Sequence, residues 1–322
     1  MSRLIPNLTL HGHGVGGSSF SGAPLVQHIG MITKRSDPSA VAATGQLAHW
    51  LFRRGIQVTV SCETAKAAEI PATIAAIRNQ EDVPEKQDLV VVIGGDGTFI
   101  AAARAVGCRD VPLLGINMGR LGFLTDIRDA DMLTTLEEVL AGRFRVESRM
   151  LLAISVVRNK QEVLCQQVLN DMVLHKGELA RMIEFDVTID DQFVFTSRAD
   201  GLIVSTPTGS TAYALSAGGP IIHPSLDAIL LVPICPHTLS NRPIAVPGQG
   251  NIGITLARDG RDRLLTLDGQ DCFPLECNDQ IFIRRAQQRL RLLQAPNHSY
   301  YEVLRNKLRW GEQVGTALDA NN

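Results

Sequence analysis

Leu89-Val90-Val91-Val92-Ile93-Gly94-Gly95-Asp96-Gly97-Thr98-Phe99-Ile100-Ala101-Ala102-Ala103 decides the reading of this chain. The unbroken apolar run at its start predicts a strand buried on both faces, and the small residues at its end predict a helix. Between them lies a tight turn of glycines with one carboxylate, aimed at the helix N-terminus. Glycine lets backbone N–H groups come close to an anion, and the helix dipole favours negative charge there. An aspartate repels phosphate, so Asp96 does not suit a pure phosphate cradle. It fits if the carboxylate accepts a proton from a hydroxyl, or holds a cation, beside the phosphates. The alternative is a strand-to-helix turn that uses Gly and Asp for backbone reasons alone.

The same alternation surrounds this stretch. His28 to Thr33 reads as a short strand, and Asp37-Pro38 supplies an N-cap and an N1 proline. Leu47, Trp50 and Leu51 give the helix its apolar face, and Gly55 ends it. Ile56 to Val60 and Val111 to Ile116 are further strands. Leu133, Leu136, Val139 and Leu140 mark another helix, closed by Gly142. Continuous apolar strands alternating with helices predict a parallel, Rossmann-like α/β domain over 27–143. Beyond it come short β-rich segments: Leu151 to Val157, Ile183 to Ile189, Phe193 to Ser197, Ile229 to Val232, Ile252 to Leu256 and Ile281 to Arg284. Asp190-Asp191 suits a hairpin turn. A second, antiparallel all-β domain over 144–295 follows from this texture. Arg284 to Arg291 reads as two polar-faced strands around Gln287-Gln288. Tyr301, Leu304 and Leu308 stand at helical spacing, so 296–316 returns as a helix to the first domain, leaving 317–322 as a tail.

Residues 1–26 read as a flexible tail. Gly12, Gly14 and Gly17 there satisfy GxGxxG, but no strand of adequate length precedes them and no helix pattern follows. A dinucleotide fingerprint needs both, which disfavours a Rossmann dehydrogenase. The whole chain has 322 residues and a net charge of -2, so no global field draws it to nucleic acid or membrane and phosphate recognition must be local. No apolar stretch is long enough for a membrane span, and no secretory signal opens the chain. The six cysteines form no CxxC pair, which predicts reduced thiols in the cytoplasm rather than a zinc site or disulfide framework. Gly-Lys never occurs, so there is no P-loop.

Four more segments carry chemistry. Gly115 to Gly122, with Asn117 and Arg120, follows the next α/β strand, and neighbouring strand ends converge on a ligand crevice. Asn170-Asp171 interrupts an apolar run; the pair is either a bulge or an amide donor and carboxylate acceptor for a ribose diol or adenine edge. Ala199 to Pro220 holds a strand, then the hydroxyl-rich turn Thr206-Pro207-Thr208-Gly209-Ser210-Thr211, then a short helix. Tyr213 gives an aromatic face for a base, whereas any single hydroxyl can be a cap. Asp268-Gly269-Gln270 ends a strand. In the loop Pro236 to Pro243, His237 reads as a hydrogen-bonded loop histidine.

Taken in order, these motifs are similar to those of the bacterial NAD kinase family from about His28 to Trp310. The long Asp200 to Pro220 segment is the specific part; the shorter Gly-Gly-Asp-Gly string also occurs in lipid kinases, and a similar one in sugar kinases. The resemblance implies an N-terminal Rossmann-like parallel-sheet domain, a C-terminal β-sandwich domain, and a site between them. It implies a phosphotransferase with an alcohol acceptor: the γ-phosphate of ATP, or polyphosphate, moves to the 2′-hydroxyl of the adenosine ribose of NAD, giving NADP and ADP. A divalent cation, Mg²⁺ foremost, and a homodimer or homotetramer are implied with it. By motif position, Asp96 would be the proton acceptor, with Gly94, Gly95 and Gly97 near the phosphates and Asn117 beside them. Asn170 and Asp171 would hold the adenosine half. Thr208, Thr211, Ala212, Tyr213, Ala214, Leu215 and Ser216 would line the nucleotide pocket. Asp200 and Arg198 would face the nicotinamide half, and Arg181 and Gln270 occupy family contact positions. A lipid or sugar kinase sharing the glycine turn, and a non-catalytic NAD-sensing regulator, are the alternatives.

Overall fold

A computed structural model describes residues 26–177, 182–238, 240–256, 263–296 and 299–309. The Gly12 to Gly17 motif, Arg181 and the 317–322 tail lie outside them. The first part of the chain runs β1 (His28–Thr33), α1 (Pro38–Arg53), β2 (Gln57–Ser61), α2 (Cys62–Ala67), β3 (Ala75–Arg78), β4 (Leu89–Ile93), α3 (Asp96–Val106), β5 (Leu113–Asn117), β6 (Ile127–Arg128) and α4 (Met132–Leu140). The β-rich part continues with β7 (Arg145–Arg158), β8 (Gln161–Val168), β9 (Asp171–Lys176), β10 (Ile183–Ile189), β11 (Gln192–Ala199), β12 (Gly201–Ser205) and the single turn of α5 (Tyr213–Ser216). It closes with β13 (Ala228–Ile234), β14 (Ile244–Pro247), β15 (Ile252–Leu256), β16 (Arg263–Leu267), β17 (Asp271–Leu275), β18 (Gln280–Gln294) and α6 (Tyr300–Leu308).

Strands β1 to β5 are parallel, in the order β5-β4-β1-β2-β3. Every residue of β4 and of β5 is buried, because helices cover both faces of the sheet. On one face α1 and α4 pack with Leu47, Leu51, Leu136 and Val139; on the other, α3 packs with Phe99, Ala102 and Val106. Helix α1 starts as its residues dictate: the Asp37 carboxylate accepts from Ser39 N at 3.1 Å, Pro38 follows, and Gly55 closes the end at φ +75.

The β-rich part is a sandwich. One face of β7, β10, β15 and β18 packs against the six-stranded antiparallel sheet β14-β13-β12-β9-β16-β17 through Ile154, Phe185, Leu202, Leu231, Leu265 and Ile281. Asp190-Asp191 makes the expected β10–β11 hairpin turn, with both residues at positive φ.

The predicted pair of strands around Gln287-Gln288 is corrected: β18 is one strand of fifteen residues. Between Arg285 and Arg289 it bulges against β7, where only Leu152 to Met150 stand opposite. Its N-terminal half alternates buried and exposed and pairs with β15, whereas its end is buried throughout and pairs in parallel with β5 at Leu292↔Leu113. A single twelve-stranded sheet therefore runs from the parallel region into the sandwich. Helix α6 returns to the α4 side, where Ser299, Glu302, Val303 and Asn306 share a cleft of about 460 Å³ with Asp126, Arg128 and Thr135.

Candidate active site

Strand β4 delivers Gly94 to Gly97 to the start of α3. Gly94 sits at φ +156, and a Cβ there would meet Thr98 Oγ1 at 2.7 Å and Lys34 Cβ at 2.9 Å, so only glycine passes. Above Gly95 and Gly97 the space is open. As at any helix start, the first N–H groups lack a carbonyl one turn back, so the turn presents donors to an anion.

Asp96 is held in a specific pose. Its Oδ1 accepts from Leu124 N at 3.1 Å, Thr125 N at 3.2 Å and Thr125 Oγ1 at 3.0 Å; its Oδ2 accepts from Phe123 N at 2.9 Å alone. A carboxylate oxygen has about two lone-pair directions. Oδ1 is saturated, and Oδ2 keeps an open one. Asn117, at the end of β5, is buried and supports this arrangement rather than facing the open space. Its Nδ2 donates to Thr125 Oγ1 at 2.8 Å, and its Oδ1 accepts from Gly119 N at 2.7 Å. The relay Asn117 to Thr125 to Asp96 runs in one donor direction. A Cβ on Gly122 would lie inside the radius of Asp96 Oδ1, so the loop closes over the carboxylate only because residue 122 has no side chain.

Asn170 is a break between two strands rather than a residue within one. The chain leaves the larger sheet at Val168 and enters the smaller one at Asp171. The free amide groups of the break converge on Asp268, which accepts from Leu169 N at 2.9 Å, Asn170 N at 2.7 Å and Asp171 N at 3.2 Å. Burial, with the Asp268 charge behind it, pushes the Asp171 carboxyl up to about 7. Burial also raises Asp268, but its three N–H donors and Arg104 pull it back. Of this coupled pair Asp171, which has no such donors, is the one pushed further up and keeps its proton to higher pH.

A raised carboxyl pKa costs stability above the unfolded value. Below about pH 4 both states are protonated and nothing is lost. Between 3.8 and about 7 the folded state keeps a proton that the unfolded state releases, so stability falls as pH rises and levels off above 7. The full penalty is up to about 4 kcal/mol. Asp171→Asn is expected to raise the melting temperature at pH 8 and to leave it nearly unchanged at pH 4. Thermal unfolding at the two pH values checks this; an equal shift at both would contradict the buried-proton assignment.

The hydroxyls of the Thr206 to Thr211 run serve the backbone first. Thr206 Oγ1 donates to Leu169 O at 2.6 Å, Ser205 Oγ to Thr206 O at 2.9 Å, Ser210 Oγ to Pro207 O at 2.6 Å and Thr211 Oγ1 to Thr208 O at 3.1 Å. The first of these, with Thr206 N donating to Asn170 O at 2.8 Å, fastens the run to the Asn170 break. Thr208 is buried, receiving Arg149 Nη1 at 3.3 Å, and Ala214 is buried against Ile203 and Leu230. Those two side chains therefore shape the pocket wall from behind. Thr211, Ala212 and Leu215 are partly exposed, and Tyr213 and Ser216 are exposed.

Asp200 and Arg198 stand elsewhere. Asp200 pairs with Lys176 Nζ at 2.7 Å, and Arg198 with Glu184 at 3.5 Å. Register places Gly201 beside His175 and Ser205 beside Asp171, so Asp200 and Asn170 lie at opposite ends of the sheet, roughly 15–20 Å apart along the strand. Gln270, at the tip of the β16–β17 turn, spans to the glycine turn: its Nε2 donates to Gly97 O at 2.8 Å.

Sequence reasoning missed several supporting residues. Gly122 entered only as the end of the Gly115 to Gly122 segment and Thr125 not at all, because their roles depend on the loop folding back. Asp268 entered only as part of a strand-ending turn. Arg149, buried and joined to Glu147 at 3.0 Å, lies outside every motif. Lys34, beside Gly94 at the end of β1, makes no ion pair among the described residues; no motif marks it. A cavity of about 690 Å³ lies behind α3, lined by Arg104, Cys108, Cys165, Asp268 and Arg284; none of the glycine-turn residues lines it.

A glycine turn that carries a carboxylate and lacks a P-loop lysine, linked through Gln270 and Asp268 to a polar strand break of a second sheet, is equipment for phosphoryl transfer to an alcohol. Comparison with known proteins narrows this class. Residues 29–144 match the family model of the ATP-NAD kinase N-terminal domain, and residues 169–295 that of the ATP-NAD kinase C-terminal domain. The chain is 58% identical over 291 residues to an NAD kinase of Magnetococcus marinus, covering 90% of this chain and 96% of that protein. It is 49% identical over 288 residues to an NAD kinase of Geotalea daltonii, covering 89% and 100%. Among solved structures, yeast NADH kinase complexed with NADH superposes with a TM-score of 0.83 at 26% identity, over 91% of this chain and 90% of that one. An NAD kinase from Archaeoglobus fulgidus in complex with ATP shares the fold, with a TM-score of 0.67 at 24% identity over 88% and 98%. The chain belongs to the NAD kinase family: it is a phosphotransferase that acts on NAD, with ATP as phosphoryl donor. Neither a lipid or sugar kinase nor a non-catalytic sensor is favoured by these matches.

Proposed function

We propose that Asp96 Oδ2 accepts the proton of the 2′-hydroxyl of the NAD adenosine ribose while that oxygen attacks the γ-phosphate of ATP, giving NADP and ADP. The observation that carries this is the unequal loading of the Asp96 carboxylate, with Oδ1 filled by three donors and Oδ2 left open. Proton acceptance contributes about 10²–10⁴-fold. The remainder comes from placing the hydroxyl in line with the phosphate and spreading charge over the donors of Gly95 and Gly97, with Lys34 beside them. Asn170, whose side-chain amide makes no hydrogen bond among the described residues, holds the adenosine half together with Asp171. Thr211, Ala212, Tyr213, Leu215 and Ser216 supply the wall and an aromatic face.

The division of labour follows the chain: 27–143, completed by 296–316, brings the glycine turn, and 144–295 brings the NAD side. Asp200 and Arg198 reach the nicotinamide half from the far end of β12. A homodimer or homotetramer, in which a second copy presents that end, accommodates their separation from Asn170.

Among the described residues no group of three or more His, Cys, Asp or Glu side chains could hold a metal. The donor set therefore suits a divalent cation, Mg²⁺, that arrives on the ATP phosphates, with Asp96 the one carboxylate of the turn. When bound it neutralises phosphate charge. No helix among the described residues is long and apolar enough to cross a membrane. The six cysteines, none of them in a disulfide, suit the reducing cytoplasm.

Incubation with NAD, ATP and Mg²⁺ is expected to form NADP, and EDTA to stop it; polyphosphate in place of ATP tests the donor range. NADP formation unaffected by EDTA would remove the cation, and 3′-phosphorylated product would remove the assigned acceptor.

A further inference from the structure

The order of the parallel strands fixes where Lys34 stands. Strand β1 lies between β2 and β4, and β4 between β1 and β5. From β1 the chain leaves through α1 toward β2; from β4 it leaves through α3 toward β5, on the opposite face of the sheet. The gap between β1 and β4 is therefore the point at which the winding reverses. In an open α/β sheet a ligand binds there, outside the carboxyl ends of the two strands. The loop after β4 is the glycine turn. The loop after β1 opens with Lys34.

Lys34 carries the β1–β4 pairing one residue further, its N–H donating to Ile93 O at 2.9 Å. Its Cβ lies 2.9 Å from where a Cβ on Gly94 would be, so the lysine stem rises directly beside the turn. The side chain is exposed and makes neither an ion pair nor a hydrogen bond among the described residues. Its neighbours are already served. Asp37 accepts from Ser39 N at 3.1 Å and from Ser39 Oγ at 2.6 Å. The Ser39 hydroxyl is the main cause that holds the Asp37 carboxyl below its usual range, and Lys34 is the weakest. Arg35 faces Glu63 at 4.0 Å, and the Asp96 carboxylate is loaded by the Phe123 to Thr125 loop.

The charge at the site gives this cation a task. The β- and γ-phosphates of ATP bring negative charge to a turn that already carries Asp96, and the partial charges of a helix start offset only part of it. P-loop enzymes meet the same demand with a lysine on the phosphate loop, and Gly-Lys never occurs in this chain. A lysine on the facing loop can serve instead, because it acts as a point charge on a flexible stem.

We propose that Lys34 is a catalytic residue: its ammonium contacts the β- and γ-phosphate oxygens of ATP from the β1 wall of the crevice, across from the N–H groups of the glycine turn. As the bond from the ribose 2′-oxygen to Pγ forms, the bond from Pγ to the β–γ bridging oxygen breaks. Its electron pair stays with ADP, where Lys34 offsets the added charge, and the 2′-hydroxyl proton goes to Asp96. This rests on the assignment of the glycine turn as the phosphate side of the site.

Two measurements on the full chain test it: kinetics of NADP formation, and calorimetric titration with ATP and Mg²⁺ in the absence of NAD. Lys34→Met keeps the stem and removes the charge. It is expected to lower kcat/KM for ATP by about 10- to 100-fold and to weaken ATP binding by about tenfold. The KM for NAD should stay within about threefold of wild type. Lys34→Arg keeps the charge and should hold kcat/KM for ATP within about threefold of wild type. Arg35→Met removes the neighbouring charge, which faces Glu63, and should leave both measurements unchanged. Lys34 is exposed and unpaired, so the melting curves of its variants should match wild type. Wild-type kcat/KM for ATP in Lys34→Met would overturn the assignment. So would an equal loss in Lys34→Arg or in Arg35→Met, or a loss carried by the KM for NAD alone. Asp96→Asn separates the two readings: an inactive Asp96→Asn beside a fully active Lys34→Met removes only the lysine, whereas an active Asp96→Asn removes the site on which it rests.

Discussion

Asp96→Asn is expected to lower kcat for NADP formation by about 10²–10⁴-fold, while the KM for NAD stays within about threefold of wild type. The amide keeps the size of the carboxylate, so the glycine turn and the space above it are preserved. Its oxygen can still accept from Leu124 N and Thr125 N. Its nitrogen, however, takes the place of Oδ2 and meets the Phe123 N–H donor to donor. That contact costs about 1–3 kcal/mol of stability, which a melting curve reads separately from activity. The kinetic loss has a different origin: an amide cannot take a proton from a ribose hydroxyl. A carboxylate is itself a weak base for an alcohol, so the effect is bounded by general-base help and leaves the residual rate due to positioning.

The second large effect is expected at a residue with no chemistry of its own. Gly122→Ala should lower kcat by about 10²-fold and stability by about 1–3 kcal/mol. Gly122 is not among the residues at positive φ, so alanine is conformationally allowed there. The damage is steric: the added methyl enters the space of Asp96 Oδ1 and comes within 2.5 Å of Thr125 Oγ1. Either the carboxylate swings away or the Phe123–Thr125 amides lift, and in both cases Oδ2 leaves its place. NAD contacts on the other side are untouched, so the KM for NAD should move little. Steady-state kinetics with a melting curve check it; unchanged kcat would mean that the loop does not govern the Asp96 pose.

Fold and site were legible in the sequence to different depths. The parallel sheet could be read because β4 and β5 are apolar throughout and α1 carries its own cap, all of which are local signals. Edge strands were harder: β3 buries one residue of four, and β17 buries one of five, so neither carries a buried run. The bulge of β18 disguised one strand as two, since polar Gln287-Gln288 looks like a turn unless the partner strand is known. At the site, the glycine turn and Asn170-Asp171 announced themselves through residue types unusual for their setting. The roles of Gly122, Thr125, Asp268 and Arg149 did not, because each depends on a contact with a residue distant in sequence: Gly122 with Asp96, and Asp268 with Leu169 to Asp171. Several hydroxyls of the Thr206 to Thr211 run pointed toward a ligand by composition and toward backbone carbonyls in space.

The most direct measurement is a crystal structure of the full chain with NAD and a non-transferable ATP analogue bound. The ribose 2′-oxygen should lie within about 2.6–3.2 Å of Asp96 Oδ2, with Oδ1 still held by Leu124 and Thr125. A structure in which the 2′-oxygen meets another side chain, or in which the Asp96 carboxylate stays locked on the loop with the ribose out of reach, would contradict the account.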